Sequence, residues 1–337
     1  MKYRKLGNTN IEVSAIGLGC MPISSVYGEA DDNESMRLLD KALELGINLW
    51  DTADAYGIDS SNEILLGEYF KKSGNRNKIF LASKFGFVLN EGFHDAFLPK
   101  ATHIDGSPEY VKKACDASLK RLKVDYLDLY YPHRVDPNVP IEETVGAMTD
   151  LINEGKIRYI GLSECTLEDL KKAMKVAPIT AVQSEFSLLS QQHREIVEFC
   201  RENNIAFIPF APLSRGLMTA KLNAETLEAN DFRRRLPRYQ GEYLDNNAAL
   251  AKEFGKLAEE KSVSAAQLAL AWVLAQGENI IPIPGTKKIK NLENNAGCVD
   301  VEVTSDDLKA IDALLEKYPN IGPRYSSNEN KFVKKKS

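Results

Sequence analysis

Asp51, Tyr56, Lys84 and His133 are the residues whose types and positions could together do chemistry. Asp51 and Lys84 directly follow short apolar runs at residues 47–50 and 79–83. Tyr56 lies five residues beyond Asp51, and His133 comes after the run at 127–131. A tyrosine hydroxyl with a pKa of ~10 is a weak acid at neutral pH, and desolvation weakens it further. A neighbouring ammonium favours the phenolate and lowers that pKa, and a carboxylate beside the ammonium holds it charged and in place. The set therefore offers Tyr56 as proton donor, Lys84 as its tuner and Asp51 as the anchor of Lys84. His133 would orient a carbonyl oxygen and share the proton relay. A proton given to a carbonyl oxygen requires a hydride given to its carbon, and so a nicotinamide cofactor. Singly, each residue has an ordinary explanation. Asp51 could cap a turn, Lys84 could be a solvated charge at a strand end, His133 a packed, hydrogen-bonded ring, and Tyr56 packing at a barrel mouth. Together on one rim they favour a site.

Such a rim needs strands to hold it. Short apolar runs alternate with amphipathic stretches through most of the 337 residues. The pairs are 16–19 with 32–45, 47–50 with 62–70, 79–83 with 108–122, and 127–131 with 141–153. They continue as 157–161 with 167–176, 181–183 with 194–203, 205–209 with 246–260, and 280–283 with 288–296. Continuous apolar runs are the mark of strands buried on both faces. Eight strand-plus-helix units predict an α/β (β/α)8 TIM barrel, whose active site lies at the C-terminal ends of the strands. The surplus length goes to a hairpin at 3–6 and 11–13 around Gly7-Asn8-Thr9-Asn10, placed to plug the barrel bottom. It also goes to extra helices at 264–274 and 304–315, and to long rim loops at 85–106 and 214–242. Residues 1–325 are expected to form one domain, and residues 326–337 a polar, mobile tail.

Composition narrows the partners. Lys plus Arg is 43 against 48 Asp plus Glu, for a net charge of −5. That balance predicts no nucleic-acid partner. No apolar run reaches the length of a membrane span, and Met1-Lys2-Tyr3-Arg4-Lys5 leads into no apolar segment, so neither membrane nor secretion is expected. Cys20, Cys115, Cys165, Cys200 and Cys298 form no CxxC pair, and no histidines have zinc-ligand spacing. We expect no metal, and free thiols in a reducing cytoplasm. Gly17-Leu18-Gly19 begins like a dinucleotide fingerprint, but Pro22 stands where its third glycine belongs.

The segment Leu49-Trp50-Asp51-Thr52-Ala53-Asp54-Ala55-Tyr56-Gly57 resembles the first signature of the aldo-keto reductases. Leu127-Asp128-Leu129-Tyr130-Tyr131-Pro132-His133 resembles the second, and Ile281-Pro282-Ile283-Pro284-Gly285-Thr286 begins the third. The likeness spans about residues 3–325. Residues 155–164 are similar to the branch with plant auxin-induced-like reductases and microbial pyridoxal and arylaldehyde reductases.

The resemblance implies reduction of a small-molecule aldehyde or ketone with NADPH, Tyr56 giving the proton. It implies that Ser163 and Gln183 hydrogen-bond the nicotinamide carboxamide and that Phe210 stacks under the ring, where many members have Tyr. Glu164 replaces the commoner Asn and can accept but not donate. Pro212, Leu213, Ser214, Arg215 and Gly216 would wrap the pyrophosphate. Pro284, Gly285, Thr286, Lys287, Lys290, Glu293 and Asn294 would hold the adenine and 2′-phosphate, and Gly19, Cys20, Met21 and Asp51 would complete the cofactor set. Lysines in the first turns of a helix are sensible where an anion sits. Lys290 stands where an Arg is common, and a point charge implies a milder NADPH preference. Selectivity is expected from the loop at 85–106, with Phe85, Phe87, Phe93, Phe97 and Leu98, and from Gly322-Pro323-Arg324-Tyr325. Potassium-channel β-subunits resemble the same fold, so a redox-sensing regulatory protein is the second reading. A barrel hydrolase or isomerase is the third.

Overall fold

The computed structural model describes residues 1–24, 30–89, 101–220, 227 and 231–325. Phe93, Phe97 and Leu98, part of the 214–242 loop, and the expected tail at 326–337 lie outside them.

The chain opens with an antiparallel hairpin, β1 (Tyr3–Lys5) and β2 (Glu12–Ser14). The barrel strands are β3 (Leu18–Gly19), β4 (Leu49–Asp51), β5 (Phe80–Phe85), β8 (Leu127–Pro132), β9 (Ile157–Ser163), β10 (Ala181–Glu185) and β11 (Ala206–Phe210). They pair in parallel in that spatial order. A second hairpin, β6 (Phe87–Leu89) with β7 (Ala101–Ile104), stands at the rim, within the stretch expected to be irregular. Outside the strands run α1 (Asp32–Glu44), α2 (Ser61–Ser73), α3 (Pro108–Leu122), α4 (Ile141–Asn153), α5 (Leu167–Ala173), α6 (Arg194–Glu202), α7 (Gly241–Glu260) and α9 (Ile289–Ala296). The extra helices are α8 (Ala265–Leu274) and α10 (Ser305–Lys317). Their starts are chemically marked. Ser107 caps α3 ahead of Pro108, and Thr166, Ser264 and Thr304 each form a capping box.

Strand period sorts the core into two layers. Leu49, Phe80, Ala82, Leu129, Tyr131, Ala181, Ala206 and Ile208 pack together inside the barrel. Trp50, Leu81, Tyr130, Leu162, Val182 and Phe207 belong to the layer under the helices. Leu6 and Val13 of the hairpin join the interior cluster, and so plug the barrel floor.

The eighth segment closes the ring without being a regular strand. Its side toward β11 is bonded: Phe207 N–H donates to Asn279 O at 2.8 Å, Ile281 N–H to Phe207 O at 2.9 Å, and Ile283 N–H to Pro209 O at 3.0 Å. Toward β3 it only accepts, from Gly17 N–H at 2.8 Å and Gly19 N–H at 3.3 Å. Pro282 and Pro284 stand where the return donors would be and have no N–H. The strand expected at 280–283 is therefore a one-sided seam. Arg4 fastens its lower end, donating to Gly277 O at 2.8 Å and Ile280 O at 2.6 Å.

Glycines let that seam come close. A Cβ on Gly285 would sit 2.8 Å from Gly19 O and 2.8 Å from Pro22 Cδ. Gly285→Ala should therefore destabilise the fold by about 1–3 kcal/mol, as overpacking does. Calorimetry should show a melting temperature several degrees lower; an unchanged one would mean that the seam has slack.

Candidate active site

The inward parity of each strand, carried one step past the hydrophobic interior, delivers the polar groups. Leu49 is followed by Asp51, Ala82 by Lys84, Tyr131 by His133, and Ala181 by Gln183. Backbone bonds fix the turns. Thr52 N–H donates to Ala82 O at 2.9 Å, Asp54 N–H to Lys84 O at 3.1 Å, and His133 N–H to Phe85 O at 2.7 Å. Behind them, the Thr52 hydroxyl donates to Asn62 Oδ1 at 2.6 Å, and Asn62 Nδ2 donates to Cys20 O at 2.7 Å. This pins the loop that carries Tyr56 to α2.

Lys84 is fully buried and all three ammonium donors are used. Nζ donates to Asp51 Oδ1 at 2.5 Å, Thr52 O at 2.8 Å and Tyr56 Oη at 3.1 Å. An ammonium cannot accept, so the Tyr56 O–H must point elsewhere, and Tyr56 lines the cavity. Asp51 Oδ2 accepts from Gln183 Nε2 at 2.8 Å, so one amide donor of Gln183 is committed to the tetrad and its other groups face elsewhere.

Burial opposes the charge on Lys84, but Asp51 and Tyr56 hold its pKa above the usual range. Burial pushes the Tyr56 hydroxyl above its ordinary pKa, and Lys84 pulls it back only in part. This corrects the expectation that Lys84 leaves Tyr56 more acidic than free tyrosine. The ammonium lies against Asp51, which offsets much of its field. His133 is pushed well below its ordinary pKa, by burial first and then by Lys84 and Arg134. It is a neutral imidazole at physiological pH, its ring edge-on to Tyr56 at 5.6 Å and to Phe87 at 4.7 Å.

A cavity of about 640 Å³ runs from these groups to the start of α9. Gly19, Met21, Asp51, Tyr56, His133, Ser163, Gln183, Phe210, Pro212, Leu213, Arg215, Gly216, Pro284, Gly285, Thr286, Lys287, Lys290 and Asn294 all line it. Cys20, Lys84, Glu164, Ser214 and Glu293 do not. Cys20 is buried under the wall, Ser214 Oγ donates to Ser187 Oγ at 2.9 Å, and Glu293 turns out to Lys41 at 3.0 Å. Glu293 sits on the helix face that meets α1. The wall after β11 turns through left-handed backbone at Ala211, Ser214, Arg215 and Gly216, a conformation that costs about 1–3 kcal/mol per non-glycine residue and gathers at functional sites.

Glu164 faces away from the cavity into an ionic cluster. Its Oε1 accepts from Glu185 N–H at 2.9 Å and its Oε2 from Arg324 Nη2 at 3.1 Å. Against the cost of burial, Arg324, Arg134 and His193 hold its carboxyl at about 2. Glu185 meets Arg215 at 3.0 Å, Arg324 at 3.1 Å and Arg238 at 3.6 Å, and its pKa is likewise well below the carboxylate range. Tyr325, another wall residue, accepts from Arg215 Nη2 at 2.9 Å. Among wall residues that the sequence did not single out are Arg134, Asp231, Arg233 and Asn295. Arg134 had a readable signal, a charged residue directly after a strand-end histidine.

The cavity suits an elongated anion with an aromatic end. Lys287, Lys288 and Lys290 stand at one end, and Phe210 and the Tyr56 group at the other. Among the described residues no His/Cys/Asp/Glu cluster could hold a metal, and no helix is long and apolar enough to cross a membrane.

A family model described as the aldo/keto reductase family matches residues 15–316. The chain is 43% identical over 330 residues to "Probable aldo-keto reductase 1" of Glycine max, covering 97% of this chain and 93% of the relative. It is 41% identical over 327 residues to the NADP(+) aldo-keto reductase yakc of Schizosaccharomyces pombe, covering 96% and 94%. Among solved structures, the glycerol dehydrogenase AKR11B4 from Gluconobacter oxydans superposes with a TM-score of 0.83 at 28% identity, covering 96% of this chain and 99% of that one. The thermostable aldo-keto reductase Tm1743, in complex with the inhibitor epalrestat, gives 0.72 at 27% identity, covering 93% and 100%.

Proposed function

Because the chain belongs to the aldo/keto reductase family, we propose that it reduces aldehydes or ketones to alcohols with NADPH and that Tyr56 delivers the proton. The chain is an NADP-dependent oxidoreductase; the tetrad roles and the carbonyl substrate are our reading. The observation that carries it is the saturated ammonium of Lys84, which bonds the Tyr56 oxygen and leaves the O–H to donate into the cavity.

When bound, reduced nicotinamide supplies a hydride, two electrons and a proton together, to the carbonyl carbon, while the carbonyl π pair moves to oxygen. Tyr56 gives its proton to that oxygen, and the resulting phenolate is held by Lys84 until solvent reprotonates it. Neutral His133 donates one N–H to the same oxygen and so orients the carbonyl. Asp51 keeps Lys84 charged, and Gln183 keeps Asp51 in place. Ser163 and Phe210 would hold the nicotinamide, and Arg215 and Gly216 the pyrophosphate. The α9 lysines would hold the 2′-phosphate. The NADP(+) in the name of the S. pombe relative supports the same cofactor.

The direct test is loss of NADPH absorbance with a panel of aldehydes and ketones. Turnover supports the reading; tight NADPH binding without turnover would favour a regulatory role instead. Lys290→Glu should weaken NADPH by roughly 10- to 100-fold and leave NADH nearly unchanged, because only the 2′-phosphate contact is reversed. The difference should shrink as salt rises. Fluorescence titration giving equal losses for both cofactors would assign Lys290 elsewhere.

A further inference from the structure

The roles above give no task to Arg134, a charged wall residue beside the tetrad. Arg134 follows His133 directly, is only 6% exposed, and lines the same cavity as Tyr56, His133 and Ser163. A guanidinium carries five N–H donors and stays charged at any working pH. The acid facing Arg134 is Glu164, 3.6 Å from Nη1, beyond hydrogen-bond distance. Nε of Arg134 is buried without an acceptor. Glu164 is already engaged on both oxygens by Arg324 and the Glu185 backbone. Arg134 adds to the positive field on Glu164, but it is not the group that bonds its oxygens. A buried, poorly bonded guanidinium is costly unless an anion meets it.

The surroundings favour an anion that arrives with the substrate. Arg134 stands beside His133, which is buried and neutral, and the nearby Lys84 ammonium is already paired with Asp51. In the proposed binding mode the cofactor's phosphates have their own partners, Arg215 and Gly216 for the pyrophosphate and the lysines at the far end for the 2′-phosphate. Its nicotinamide end has no anion to offer, and the ring becomes cationic when oxidised.

We propose that Arg134 is the specificity-determining residue for carbonyl substrates that carry a carboxylate, which its guanidinium receives beside His133. The preferred substrates are then oxo acids, aldehydes or ketones bearing an acid group. The planar fork matches a carboxylate through two N–H donors, which a lysine ammonium cannot reproduce. The proposal rests on the carbonyl-reductase reading and adds only a binding contact to its chemistry.

The test compares para-carboxybenzaldehyde with para-methylbenzaldehyde, using NADPH and wild-type, Arg134→Met and Arg134→Lys enzyme. Wild type should favour the acid in kcat/KM. Arg134→Met should raise KM for the acid by roughly 10- to 100-fold, with a much smaller change for the methyl compound and little change in kcat. Arg134→Lys should recover part of the loss, and it keeps the test open should the methionine variant fail to fold. Equal KM losses for both aldehydes, or a wild-type preference for the methyl compound, would overturn the proposal and leave Arg134 a structural partner of Glu164. If wild type reduced neither aldehyde, the reductase reading would fail on its own. The subsite would then be read by titrating benzoate against the NADP+ complex. Binding weakened about tenfold or more in the variants supports the subsite, and equal binding overturns it.

Discussion

Replacing Tyr56 by phenylalanine should lower kcat by two or more orders of magnitude while NADPH binds much as before. The substitution keeps the ring that packs edge-on against His133 and removes only the oxygen held by Lys84. Positioned acid catalysis is worth ~10²–10⁴ in rate, so the loss should fall in that range. The neighbours are poor substitutes. Lys84 has each donor committed and lies behind the wall, and His133 is neutral over the working pH range. Single-turnover reduction with saturating NADPH measures the chemical step directly. A phenylalanine variant with near wild-type rates would move the proton donor to His133.

Arg324→Ala should cost about 3–5 kcal/mol of stability at neutral pH, the range for breaking a buried ion pair. Arg324 lies between Glu164 and Glu185, and its loss leaves both buried carboxylates with weaker compensation. The pH dependence has a definite sign. Glu164 titrates at about 2 in the folded chain, below its unfolded value, so its contribution is present above pH ~4.5 and is lost as pH falls toward 2. The denaturation midpoints of wild type and variant should therefore differ most near neutrality and converge in acid. A gap that stayed constant down to pH ~2 would mean that these carboxylates are not what Arg324 stabilises. Cofactor binding should weaken as well. Tyr325 is bonded to Arg215 of the cavity wall, and Arg215 shares Glu185 with Arg324.

The barrel and its tetrad were legible because both follow from local pattern. Strands buried on both faces leave apolar runs, and the first polar inward residue after each run marks the rim. The helix at 108–122 and that at 141–153 have the bounds read from the sequence, since a cap or a proline opens each and apolar spacing carries it. The irregular eighth segment was also legible in principle, since Pro282 and Pro284 cannot serve an interior ladder. The ionic cluster was not. Glu164, Glu185, Arg215, Arg238 and Arg324 come from distant parts of the chain, and no period or spacing relates them. The net rise in the Tyr56 pKa was equally hidden, because it depends on how completely Asp51 offsets Lys84 and how deep the hydroxyl lies.

The one-sided seam also sets a clock. At synthesis rates of about 5–20 residues per second, roughly 15–60 s pass between the appearance of Arg4 and that of the carbonyls at 277 and 280 that it grips. Any barrel sheet that forms in that interval is open. The N–H groups of Gly17 and Gly19 lie bare on one edge, and that of Phe207, once made, on the other. Unpaired edges invite pairing with a second chain. The side-chain-free Gly17 and Gly19 that let the ring close so tightly also leave that edge with little bulk to fend off a neighbour. For this molecule the hazardous period comes before the last strand is made, and crowding of nascent copies on one messenger is where aggregation would begin.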